Sequence, residues 1–136
     1  SKFTMPMIKS EYIPECRFLN EFEFLPLDLE NYVLKPLFSF SGSGIIFHVQ
    51  PSDIDAIPAA ERHQYLLQRK VQYEPVIQSP DGLVKTEIRL LFLWEEDKPK
   101  PELITNLARL SRGEMMGVKF NKDKTWVGGS VCFFEN

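Results

Sequence analysis

The run Lys85-Thr86-Glu87-Ile88-Arg89-Leu90-Leu91-Phe92-Leu93-Trp94 constrains the fold of this chain more than any other stretch. It reads as one long β-strand whose apolar half predicts burial on both faces. The Pro80-Asp81-Gly82 turn precedes it, and residues 95–101 follow as a charged, proline-rich hairpin loop. Residues 103–110 then read as a second strand, which commits this part of the chain to antiparallel pairing. Residues 115–120 read as a further strand, joined across Ser111-Arg112-Gly113. Residues 127–134 read as a closing strand with a Gly128-Gly129 break.

Upstream the signals are shorter. Pro6, Pro14 and Pro26 divide residues 1–29 into pieces, and only residues 13–24 could hold a short helix. With no initiator methionine at position 1, this stretch reads as a connector or a truncated upstream segment. Tyr32-Val33-Leu34-Lys35 is a strand stopped by Pro36. Ile45-Ile46-Phe47-His48-Val49 is a second strand, and the Gly/Ser stretch between them is a long hairpin tip. A helix starts at Pro51, with Ser52 or Asp53 as its cap, and resumes after Pro58. Residues 65–71 return to an extended pattern. The sum is an α+β domain, mostly antiparallel sheet with one or two packed helices.

The 136 residues suffice for one domain over residues 30–136, and 43% apolar and 12% aromatic content exclude a mostly disordered chain. No apolar run reaches the roughly 18 residues of a membrane span. The formal charge of −3 argues against a general nucleic-acid binder. Cys16 and Cys132 are too few and too far apart for a disulfide framework, and with only His48 and His63 a Cys/His metal centre is not expected. Both thiols read as buried and reduced. Without a signal-peptide pattern, the expected setting is cytoplasmic.

Lys35 stands in an otherwise apolar strand, where an ammonium is costly to bury without a partner. The following loop, Phe38-Ser39-Phe40-Ser41-Gly42-Ser43-Gly44, combines hydroxyl donors with glycines that let backbone N–H groups approach an anion. Together they suit a polyphosphate, although an edge lysine beside an ordinary hairpin tip has the same pattern. Gln68, Arg69, Lys70 and Val71 form a polar strand end that could offer backbone groups to a purine edge, with Glu74 three residues beyond Val71 as a ribose acceptor. Its alternative is the solvated end of an edge strand. Arg89 shares a face with Glu87 and could fork onto phosphate or carboxylate oxygens, or simply pair with Glu87. Arg109 is a second cation on the facing strand. Asn106, Asn121 and Gly128-Gly129 carry no decisive signal alone.

In this order, Tyr32-Val33-Leu34-Lys35-Pro36, Phe40-Ser41-Gly42-Ser43-Gly44-Ile45, Tyr65-Leu66-Leu67-Gln68-Arg69-Lys70-Val71 and Glu87-Ile88-Arg89 resemble the nucleotide-binding part of the ATP-grasp superfamily. The resemblance spans residues 30–130. It implies a protein that grips ATP and activates a carboxylate as an acylphosphate for attack by an amine. It implies that Lys35 touches the α- and β-phosphates and that Ser41, Gly42, Ser43 and Gly44 form a lid. The 68–71 strand would read adenine, Glu74 would hold the ribose, and Arg89, with Arg109, would stabilise the transferring phosphate. ATP and Mg²⁺ are the implied cofactors, and small carboxylate and amine compounds the implied substrates. The family's magnesium ligands, often written Glu-x-Asn, have no match in Phe133-Phe134-Glu135-Asn136, so the metal ligands stay unknown. The expected protein is therefore part of a larger ligase. The alternatives are a non-catalytic nucleotide-binding module and an interaction domain without nucleotide.

Overall fold

A computed structural model describes residues 2–40, 42–117 and 120–133. The fold is α+β, with seven strands in two antiparallel sheets among the described residues. The chain divides into two compact units, residues 1–72 and 73–136.

In the first unit, β1 (Cys16–Phe18), β2 (Tyr32–Pro36) and β3 (Tyr65–Arg69) form a sheet in the order β1-β3-β2. Cys16 and Val33 both lie opposite Gln68, and Phe18 and Lys35 both lie opposite Leu66. Alternation therefore gives the sheet two faces. On one face Tyr32, Leu34 and Leu67 join Leu19, Leu29, Val49, Ile54 and Ile57 in the buried core. On the other lie Cys16, Phe18, Val33, Lys35, Leu66 and Gln68. A 3-10 helix over Lys2–Met7 packs against β1, with the Phe3 ring 5.4 Å from that of Phe18.

The opening segment departs from the helix expected over residues 13–24. Cys16-Arg17-Phe18 instead supplies the second neighbour of β3, and only Leu19–Glu21 turns helically. The strand expected at residues 45–49 reduces to one bridge, in which Leu34 and Ile46 exchange N–H···O bonds of 3.0 Å. Val49 then enters the core and the chain turns into α1 (Pro51–Asp55). The cap of α1 is Gln50, whose N–H donates to Asp53 Oδ2 at 2.8 Å, so Asp53 closes the first turn from inside. Arg62, from the 3-10 helix over Ala59–Gln64, donates to the carbonyls of Ile54 and Ile57 at the end of α1.

The second unit is the sheet β4-β5-β6-β7, made of β4 (Pro75–Ser79), β5 (Gly82–Leu93), β6 (Glu102–Ser111) and β7 (Gly128–Ser130). The long hairpin forms as expected, with a bulge between Leu91 and Phe92. Its apolar half is not buried on both faces. Ile88, Leu90, Leu91, Phe92, Leu93, Trp94 and Ile104 are all exposed. The reason is pairing length, since β4 reaches β5 only as far as Lys85 and β7 reaches β6 only at Ala108, Arg109 and Leu110. Among the described residues, the remainder is a two-stranded ribbon.

No strand forms over residues 115–117, where the sequence suggested one; Val118 and Lys119 of that expectation lie outside the described residues. The chain there is a loop built on Asn121. Its Oδ1 accepts from Ser111 Oγ (3.0 Å) and from the N–H groups of Arg112 and Gly113 (each 2.9 Å). Its Nδ2 donates to the carbonyls of Met115 (3.2 Å) and Gly117 (3.0 Å). Five bonds from one buried amide replace the expected strand ladder. The closing strand is likewise shorter than residues 127–134, of which Phe134 lies outside the described residues. Beyond it, Asn106 mimics a ladder pair, its Nδ2 donating to Cys132 O at 2.9 Å while Cys132 N donates back to its Oδ1 at 2.7 Å.

Candidate functional site

Lys35 lies on the sheet face opposite the core, half-buried, and its Nζ donates to Gln68 Oε1 at 2.8 Å. Gln68 is itself buried. Burial pushes the Lys35 pKa below its ordinary value; the nearby Cys16 thiol opposes the shift and the charge of Lys2 reinforces it.

Lys2 is the residue that motif reading missed. From the first helical turn its Nζ donates to Ser39 Oγ at 2.6 Å and to the carbonyl of Pro36. Burial lowers its pKa as well. Two ammonium groups thus share one region with the first serine of the Gly/Ser loop. Among the described residues, neither is paired with a carboxylate. No spacing in the sequence could have signalled this, because the two lysines are brought together by packing across 33 positions (35 − 2).

The loop is anchored at its base by the Leu34–Ile46 bridge and by Leu37 N donating to Gln64 O at 2.8 Å. Gly42 (φ +76°) and Gly44 (φ +68°) take left-handed conformations that glycine adopts without steric cost. A Cβ on Gly44 would stand 3.0 Å from Pro36 Cγ, so the loop tip folds back onto the residue after Lys35. Ser43 and Gly44 are exposed, as are the rings of Phe38 and Phe40. Ser41 lies outside the described residues.

The 68–71 strand is less available than its polarity suggests. Since β3 is the central strand, Arg69 N donates to Glu15 O and Lys70 N to Asn31 O, both at 2.8 Å. The Arg69 side chain points to the other face, 3.4 Å from Asp28 and 3.2 Å from the Tyr32 hydroxyl. Lys70 Nζ lies 4.6 Å from the centre of the Phe47 ring, on which it stacks as a cation. Val71 is exposed.

The other candidates belong to the second unit. Arg89 Nε lies 2.6 Å from Glu87 Oε1, and Arg109, opposite Glu87 in the ladder, approaches the same oxygen at 3.4 Å. Arg109 also donates to Met116 O at 2.7 Å. Tyr73 joins this group. Its phenol pKa is raised by burial first and by the Glu87 charge second, against the opposing pull of Arg109 and Arg89. Glu74 is exposed. Among the described residues, no three His, Cys, Asp or Glu side chains cluster as metal ligands.

Comparison of the chain with protein-family models, with curated proteins and with solved structures found no match.

Proposed function

We propose that this chain is the ATP-gripping part of a carboxylate–amine ligase of the ATP-grasp kind. The observation that carries the reading is the pair Lys2 and Lys35, two half-buried cations without a carboxylate partner among the described residues, set at the base of a glycine-bearing loop. Burying like charges together is unfavourable unless an anion joins them, and a polyphosphate supplies several negative oxygens at once. Gln68 holds Lys35 in place, while Ser39, Ser43 and the backbone at Gly42 and Gly44 supply further donors. With the N–H groups of Arg69 and Lys70 committed within the sheet, the purine edge would be read at Val71. Arg89 and Arg109 lie in the second unit, where both pair with Glu87, and the grip rests on first-unit residues alone. Magnesium would arrive on the nucleotide, and no step is assigned to metal ligands of this chain.

A second reading, a module that binds nucleotide without turnover, is favoured by the lack of a carboxylate cluster among the described residues.

Calorimetry with Mg²⁺-ATP tests the grip. Lys35→Ala and Lys2→Ala should each weaken binding by about 5- to 30-fold, the range of one or two lost charge-assisted contacts. Absence of saturable binding at about 5 mM nucleotide, well above typical substrate affinities, sinks the nucleotide reading. Binding without phosphate release on any carboxylate and amine pair selects the second reading.

A further inference from the structure

The second unit holds a cavity of about 510 Å³ beside β6 and β7. Its apolar walls are Leu107, Leu110, Met116 and Val127. Gly128 and Gly129 complete the lining. A Cβ on Gly129 would crowd Leu107 Cδ1 at 3.3 Å, and Gly128, at φ +142°, faces open space.

The polar part of the lining is Arg109, Asn121 and Lys122. Asn121 already makes five hydrogen bonds within its own loop, so its amide has no donor left for a ligand. That leaves two cations and no acid in the lining. Arg109 is held by Glu87 at 3.4 Å and by Met116 O at 2.7 Å. Glu87 is shared between Arg89 and Arg109, so it does not neutralise the two cations of the lining and the cavity keeps a positive surplus. Its size falls within the usual range for small-molecule pockets.

From this charge balance and the apolar walls we infer that the cavity binds a small monocarboxylate with an apolar body. The carboxylate would lie between Arg109 and Lys122, with the body against Leu107, Met116 and Val127. All of these residues belong to the second unit, so the inference stands apart from the nucleotide reading.

The test is calorimetric titration of the full chain with phenylbutyrate and with phenylbutyramide, its neutral isostere. The acid should bind at least about tenfold more tightly than the amide, because the charge-assisted contacts are made by the acid alone. Lys122→Gln removes an exposed cation that holds no part of the loop. It should weaken the acid by about threefold or more and leave the amide unchanged. Val127→Trp should abolish binding of both by filling the cavity, with circular dichroism reporting that the fold persists. Equal affinity for acid and amide overturns the inference. So does equal or no response of the two ligands to Lys122→Gln, or no binding of either at about 10 mM, far weaker than useful affinities.

Discussion

Lys35 Nζ donates to Gln68 Oε1 at 2.8 Å, a diagonal contact across the β2–β3 ladder, in which Lys35 faces Leu66 and Gln68 faces Val33. The bond places a cation on a buried polar acceptor in the central strand of the first unit. One residue thereby satisfies a buried amide oxygen and presents charge to the Gly/Ser loop side of the sheet. Both consequences are measurable.

The first concerns pH. Burial lowers the folded-state pKa of Lys35 below its ordinary 10.5, so the unfolded chain holds this proton to a higher pH than the folded one. The resulting destabilisation is fully present below the folded pKa. It is relieved as pH rises from that value toward the unfolded one. Wild type should therefore gain stability relative to Lys35→Met as pH rises through the alkaline range below about 10.5. Thermal melts of both proteins at several pH values provide the check, and a pH-independent difference would falsify the assignment.

The second concerns coupling. Lys35→Met leaves Gln68 Oε1 buried without this donor, at a cost of about 1–3 kcal/mol. Gln68→Leu added to it removes the orphaned acceptor and should restore most of that loss, since an apolar pair can replace a hydrogen-bonded one. Urea unfolding of wild type, both single variants and the double variant measures the interaction. Strictly additive effects would show that the two side chains are independent.

In the second unit, Asn121→Ala should cost about 2–4 kcal/mol, because Gly113 N–H is buried and Ser111 is fully buried. Gly113→Ala should be at least as harmful, since its Cβ would stand 2.2 Å from Phe120 O. Denaturant midpoints followed by Trp126 fluorescence decide this, and a loss below about 1 kcal/mol for both would mean that the loop does not depend on the amide.

The thiols should differ in reactivity. Cys16 is buried and its pKa is raised, chiefly by burial, with Lys35 opposing and Glu21 adding to the shift. Cys132 is free and half-buried. Labelling with an aromatic disulfide reagent near neutral pH should modify Cys132 at least about tenfold faster than Cys16. Peptide mapping that finds Cys16 modified first contradicts the packing of the Lys2–Met7 helix on β1.

The residues that were legible in the sequence are those whose structure is set locally. β2, β3 and the β5–β6 hairpin follow from alternation, proline stops and a charged turn, and the left-handed Gly42 and Gly44 follow from composition. Tertiary pairing decided the rest. Cys16-Arg17-Phe18 became a strand because β3 had a free edge, where Arg17 lies opposite Leu67, 50 residues away in the chain. Residues 115–117 lost their strand to one asparagine side chain, which out-competed the backbone ladder. At the candidate site, Lys35 and its loop were legible, whereas Lys2 was not, because nothing local marks a lysine that reaches Ser39 from the first turn of the chain.

The exposed ribbon carries the last prediction. Among the described residues, β5 from Thr86 to Leu93 is paired with β6 alone, and its apolar side chains Ile88, Leu90, Leu91, Phe92 and Leu93 are exposed. A two-stranded ribbon is marginal in water without a third strand or a packed face. Its hydrogen bonds therefore open locally, without unfolding of the unit. In hydrogen exchange, the amides of residues 88–93 and 102–106 should be far less protected than those of Leu66 and Leu67, which sit in a central strand under a packed core. Exposed apolar area on a strand edge of this kind favours self-association. Replacing Ile88 and Leu90 by threonine keeps β propensity while removing apolar area, and should reduce concentration-dependent association in sedimentation. Its effect on Tm should be small, about 1–2 °C, because neither side chain is buried to begin with. Protection of the ribbon equal to that of β3 at low protein concentration would show instead that this hairpin is covered, and that the exposed side chains are the inner layer of a larger sheet assembly.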